Sequence, residues 1–156
     1  TAGKTMSDQK IPAVVVSGRS ADMGESLSAI RQFVSSASQQ AGLDKQAVYK
    51  LTLAVDEIAA NIFIYGYRDT VPDAKIGIAG QISDGLLTVR LEDSAPAFDP
   101  VEHLKTAEFD LDVPIDERIP GGLGIKLAID NVDAFRYEYL DGRNCNIFMM
   151  KRPGKS

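Results

Sequence analysis

The chain has one cysteine, one histidine and no tryptophan among its 156 residues. A lone Cys145 cannot form an internal disulfide, which makes a reducing compartment, the cytoplasm, the expected location. His103 and Cys145 share no ligand spacing with each other or with a third metal-binding residue, so a protein-built zinc site and a Cys–His nucleophile pair are set aside. A Ser–His–Asp arrangement would have to use His103, which stands in a proline- and acid-rich stretch, and is set aside as well. Both residues are read as surface or packing groups. Nor is there an excess of positive charge. The balance of 17 Lys+Arg against 22 Asp+Glu gives −5 at pH 7, the wrong sign for a duplex-binding domain. The longest apolar stretch, Ile11–Val16, is short and interrupted by Pro12, far below the roughly 20 residues of a bilayer-crossing helix. No nucleic acid, no membrane partner and no signal peptide are therefore expected. Gly3-Lys4-Thr5 imitates the end of a P-loop without its upstream glycine or preceding strand. Gly121–Gly124 follows a proline-rich stretch with the wrong spacing for a dinucleotide fingerprint.

What is present is the composition of one ordinary globular domain, 44% hydrophobic and 25% charged, in a chain long enough to bury roughly 70% of its unfolded surface. Residues 1–10 are polar and without period and are expected to be disordered, ahead of a single domain over 11–153. Ala13–Ser17 reads as a strand. Leu27, Ile30, Phe33 and Val34 recur at three and four residues in a helix from Asp22 to a stop at Gly42. Asp44 can cap a second helix, carried by Val48, Leu51, Val55, Ile58, Ala59 and Ile62 and ended by Gly66. Lys75–Ile82 and Leu86–Leu91 alternate on either side of Ser83-Asp84-Gly85 as a hairpin. Asp93–Pro120, broken by four prolines and crowded with acids, reads as a long loop of the kind that serves as a lid or binding segment. A third helix runs from the glycines at 121–124 to about Val132. Ala134–Leu140 and Asn144–Lys151 close the chain as strands around Asp141-Gly142.

Three places could carry chemistry. Glu57 and Asn61 stand four apart on the second helix and project from one face, a carboxylate and a carboxamide suited to base and metal-ligand roles. Asp93 ends a strand and is followed by small residues, Ser94, Ala95 and Ala97, beside which a flat ligand could approach the backbone while the carboxylate accepts from an exocyclic amine. Gly121–Gly124 opens a helix, where free N–H groups and the positive dipole end suit phosphates. Taken singly, each also reads as an ordinary helix face, strand-ending turn or helix entry.

In this order the elements resemble the GHKL ATPase superfamily, and within it the bacterial anti-sigma factor serine-kinase branch, over about Val14–Arg152. Leu53–Tyr67 resembles that branch's N-box with its trailing Gly-Tyr. Asp93–Pro100 resembles the first glycine box, Asp110–Pro114 through Gly121–Leu127 the short lid and second glycine box, and Asp141–Asn144 the turn into the last strand. The resemblance implies an α+β two-layer sandwich, the Bergerat fold: a mixed, mostly antiparallel sheet with helices on one face and a short ATP lid. It implies ATP and magnesium as cofactors. By position, Asn61 would ligate the magnesium and Glu57 would orient or deprotonate the attacking hydroxyl. Asp93 would accept from the adenine amine with Ala95 and Ala97 against the base, and Gly122, Leu123 and Gly124 would meet the phosphates. Arg118, the nearest cation in sequence, would neutralise charge on the transferring phosphate. The implied function is an ATP-dependent serine/threonine-protein kinase and anti-sigma factor of a partner-switching system. Such a protein phosphorylates a small anti-anti-sigma antagonist, sequesters a sigma factor or other target, and pairs as a homodimer through the first helix and sheet edge. The alternative is a non-catalytic regulator of the same fold with weak or no ATP binding, because Ala95 and Ala97 stand where the family's box usually has glycine.

Overall fold

A computed structural model describes residues 8–67, 73–106 and 122–153. Five strands form one sheet in the order β1-β2-β3-β5-β4, and each of the four pairings is antiparallel. They are β1 (Gln9–Ser17), β2 (Lys75–Ser83), β3 (Leu86–Asp93), β4 (Ala134–Leu140) and β5 (Arg143–Lys151), and the helices are α1 (Met23–Ala41), α2 (Lys45–Asn61), α3 (Pro100–Thr106) and α4 (Gly122–Asn131). The arrangement is the α+β sandwich expected from the sequence. Alternation along β2 and β3 sends Ile76, Ile78, Ile82, Leu87, Val89 and Leu91 to one face. There the apolar stripes of α1 (Ile30, Phe33, Val34, Ala37), α2 (Leu51, Ala54, Val55, Ile58) and α4 (Ile125, Ala128) cover them. At roughly 25 cal/mol per Å² of apolar surface removed from water, this shared face is the main stabilising term. α2 lies in contact with both α1 and α4.

The helix ends follow their capping residues. The Asp44 side chain accepts from the Ala47 N–H at 2.8 Å at the start of α2, and Gly42 takes φ +76° to end α1, a left-handed conformation that glycine adopts without steric cost. At the last hairpin Asp141 and Gly142 have φ +53° and +76°, the two positive angles of the tight turn whose twist matches flanking strands.

The structure corrects the sequence reading in three places. Strand β1 begins at Gln9, so Gln9 and Lys10 belong to it rather than to the polar tail. It is an edge strand with an irregularity between Ile11 and Val14, where Pro12, lacking an N–H, is tolerated. The stretch read as one long loop contains α3: Asp99 Oδ1 accepts from the N–H groups of Val101 (2.9 Å) and Glu102 (3.3 Å), and Pro100 occupies the first helical position, where its missing N–H costs nothing. Beyond Asn61, α2 widens into a π turn over Ile62–Gly66, closed by the Tyr67 N–H on the Ile62 carbonyl at 2.7 Å. Such widened turns concentrate at functional sites. No helix among the described residues is long and apolar enough to cross a membrane.

Candidate functional site

The end of β3, the start of β5 and the C-terminal turns of α2 converge on a cavity of about 420 Å³, within the range of small-ligand pockets. Its walls include Ile58, Asn61 and Ile62 from α2, Ala95, Pro96 and Ala97 from the segment after β3, and Ile125 from α4. Asp93, Asn144 and Asn146 supply its polar floor.

Asp93 is 3% exposed. Its Oδ1 accepts from the Ala95 N–H and from Asn144 Nδ2, both at 2.9 Å, whereas its buried Oδ2 has no partner among the described residues. Burial raises the carboxyl's pKa, opposed by the bonds from Asn144 and the Ala95 N–H. An acceptor held out of water without a donor is costly, and Oδ2 is the Asp93 atom on the cavity floor that remains open to a donor. Asn144 faces Asp93 across the β3–β5 ladder and fixes the following segment too. Its Nδ2 also donates to the carbonyls of Ala95 (3.0 Å) and Pro96 (3.2 Å), and its Oδ1 accepts from the Phe98 N–H (3.0 Å) and the Tyr137 hydroxyl. Tyr67, buried after the π turn, donates its hydroxyl to the Lys75 carbonyl at 2.7 Å and accepts from the Ser94 N–H at 2.6 Å. The backbone that follows Asp93 is thus fixed by side chains far away in sequence.

Ala95 and Gly66 are fitted to each other. A Cβ at Gly66 would lie 3.1 Å from the Ala95 methyl, closer than such contacts ordinarily come. The Ala95 methyl therefore occupies space that Gly66 leaves open. Ala97 also lines the cavity and is exposed.

Asn61 donates Nδ2 to the Glu57 carbonyl one turn back at 2.9 Å, which leaves Oδ1, the atom a hard cation would bind, as the group available to the cavity. The Glu57 carboxylate lies beside the start of α4. A Cβ at Gly124 would collide with its Oε2 and stand 3.2 Å from its Cδ, so the absence of a side chain at 124 is what admits the carboxylate. Gly122, Leu123 and Gly124 are the first three residues of α4, whose N–H groups have no intrahelical acceptor. Asn61, Asp93, Ala95 and Ala97 are brought to one cavity, and Glu57 and Gly124 meet at the α2–α4 contact. Arg118, Gly121 and the acidic lid at Asp110–Glu117 lie outside the described residues.

Tyr67, Asn144 and Asn146 are missing from the functional residues read in the sequence. Only the β3–β5 register reveals the two asparagines, and nothing local distinguishes them from strand-end polar residues. His103, read as a packing residue, lines the cavity, its ring 5.1 Å from that of Phe98. Among the described residues no group of three or more His, Cys, Asp or Glu could hold a metal ion.

By sequence, no curated protein matches the chain. The fold is similar to that in the crystal structure of the RsbU and RsbW domains of Rv1364c from Mycobacterium tuberculosis, with a TM-score of 0.57 and 15% identity over 93% of this chain and 34% of that one. The present chain thus spans about a third of the length of that protein chain. Residues 20–151 match the model of the histidine kinase-like ATPase domain, in agreement with the GHKL resemblance of the motifs, and the chain belongs to that ATPase family.

Proposed function

We propose that the chain is an ATP-dependent serine/threonine-protein kinase of a partner-switching system. It would act in the cytoplasm on a small antagonist protein and sequester a sigma factor or other target, with a homodimer as its working form. The observation that carries the reading is Asp93 Oδ2, a buried acceptor without a donor on the floor of an apolar cavity. An adenine's exocyclic amine supplies that donor, and its flat ring suits walls made of Ile58, Ile62, Ala95 and Ile125.

Phosphoryl transfer asks the protein mainly for positioning and charge. In this reading Asp93, held by Asn144 and the Ala95 N–H, fixes the base. The opening N–H groups of α4 at Gly122, Leu123 and Gly124 face developing negative charge on the phosphates, with Arg118 as an added cation. A serine or threonine hydroxyl oxygen forms the new bond to the γ-phosphorus as the bridging bond to the β-phosphate breaks, and Glu57 Oε2 takes the hydroxyl proton. Asn61 Oδ1 would hold magnesium. With no protein carboxylate cluster among the described residues, the ion would complete its shell from phosphate oxygens and water, and it supplies charge neutralisation when bound.

The test is a calorimetric titration of magnesium-ATP into the wild type and Asn61→Ala. Micromolar binding by the wild type, lost in the variant, is expected. Transfer of labelled γ-phosphate to an antagonist protein, lost in Glu57→Ala with binding retained, is the expected second result. The non-catalytic alternative rests on Ala95 and Ala97, and the fit of the Ala95 methyl against Gly66 weakens half of its ground. Failure of the wild type to bind magnesium-ATP would restore it.

A further inference from the structure

The two edges of the sheet differ. β1 carries Pro12 and an irregularity between Ile11 and Val14, features that discourage the addition of a further strand. β4, the opposite edge, has neither: Ala134–Leu140 alternates without a proline, glycine or lysine. Its hairpin with β5 determines which backbone groups face outward. Leu140 and Arg143 flank the two-residue turn as a hydrogen-bonded pair, and such pairs recur at every second residue. Ala134, Arg136 and Glu138 therefore bond to β5, whereas Phe135, Tyr137 and Tyr139 turn their N–H and C=O groups away from it. Among the described residues no strand is paired on that side. A row of this kind is a template for another strand.

The side chains select the strand that fits. Arg136 and Glu138 stand two apart on the sheet face away from the helices, 3.4 Å from each other, with side chains 62% and 35% exposed. In an antiparallel pairing with a second copy centred on Tyr137, each Arg136 stands opposite Glu138 of the other copy, Phe135 opposite Tyr139, and Ala134 opposite Leu140. Tyr139 and Leu140, 47% and 53% exposed, gain apolar neighbours. The outward N–H and C=O groups of Phe135, Tyr137 and Tyr139 meet their counterparts in that same register. A slide of two residues, the smallest that keeps these groups opposed, sets Arg136 against Arg136 or Glu138 against Glu138, and like charges directly opposite are destabilising.

We propose that the β4 edge pairs, antiparallel and centred on Tyr137, with the same edge of a second copy of the chain, joining two five-stranded sheets about a two-fold axis. This edge lies across the sheet from β1, so the pairing is distinct from a homodimer through the first helix, and it requires no nucleotide. Tyr137 also donates its hydroxyl to Asn144, so one residue belongs both to the interface and to the frame of the cavity.

The experiment is sedimentation equilibrium of the full chain over a range of concentrations. It compares the wild type, Arg136→Glu, Glu138→Arg, the double exchange of both, and an equimolar mixture of the two single variants. The wild type should associate reversibly. Each single variant opposes like charges at both pairs and should associate roughly tenfold more weakly. The double exchange restores both pairs with their signs reversed and should return to the wild-type association constant. The mixture should form dimers containing one copy of each variant, because every Glu of one then faces an Arg of the other; circular dichroism checks that all variants are folded. A wild type that stays monomeric overturns the pairing and leaves the edge to an extended segment of another protein. Association that neither single variant weakens overturns it in favour of a different face. Failure of the double exchange or of the mixture to recover association overturns the register centred on Tyr137.

Discussion

Asp93 shows how one residue's environment sets two observable properties at once. Burial raises its carboxyl pKa in the folded chain. Below the ordinary carboxylate range the group is protonated in both folded and unfolded chains. As pH rises through that range the unfolded chain ionises first, so stability falls until the pH passes the raised folded value, and the loss is constant above it. Asp93→Asn removes the charge and keeps an acceptor for Ala95 and Asn144. Without ligand it should therefore be more stable than the wild type at pH 7, with the gap closing as pH falls through the ordinary carboxylate range, as read by urea denaturation across pH. The same variant turns an amide N–H toward the base's amine and should weaken ATP by roughly ten- to a hundredfold. Asp93 was legible in the sequence as a carboxylate at a strand end before small residues. Its partner Asn144 was not, because the two are 51 positions apart and only the register joins them.

At the scale of elements, the best-read segments were those whose signal is local: the three-and-four spacing of α1 and α2, the alternation of β2 and β3, and the Asp-Gly turn before β5. The misses share a cause. In α3 the prolines that interrupt a period also supply, at Pro100, a favoured first position behind an Asp99 cap. In β1 the buried alternation is almost absent, since Ile11 is the buried hydrophobic residue of an edge strand that exposes Val15. The π turn after Asn61 has no periodicity to announce it. At the opposite end of the sheet from the cavity, Arg152 ties elements together. Its Nε donates to the Ala41 carbonyl at 2.9 Å and its Nη1 to the Ser83 carbonyl at 2.7 Å, joining the end of α1 to the β2–β3 turn. Arg152→Ala should lower unfolding free energy by about 1–3 kcal/mol in chemical denaturation while leaving nucleotide affinity unchanged, since β5 carries the two sites roughly 25 Å apart.

For the whole molecule, the sheet brings together what the sequence keeps apart. Asp93 comes from the end of β3, Asn144 and Asn146 from near the end of the chain, and Asn61 from the last turn of α2. This arrangement has a consequence in time as well as in space. The pairing of β3 with β5 closes a loop of about fifty residues, and contacts of such long sequence separation form slowly and late in folding. A cavity whose floor is that pairing does not exist until the strands have met. A nucleotide that binds only the completed floor stabilises the native state and not the barrier that precedes it. Stopped-flow experiments with saturating magnesium-ATP should therefore show an unchanged refolding rate and an unfolding rate slowed by nearly the whole of the binding free energy: the ligand would act as a latch on the finished molecule rather than as a template for its assembly.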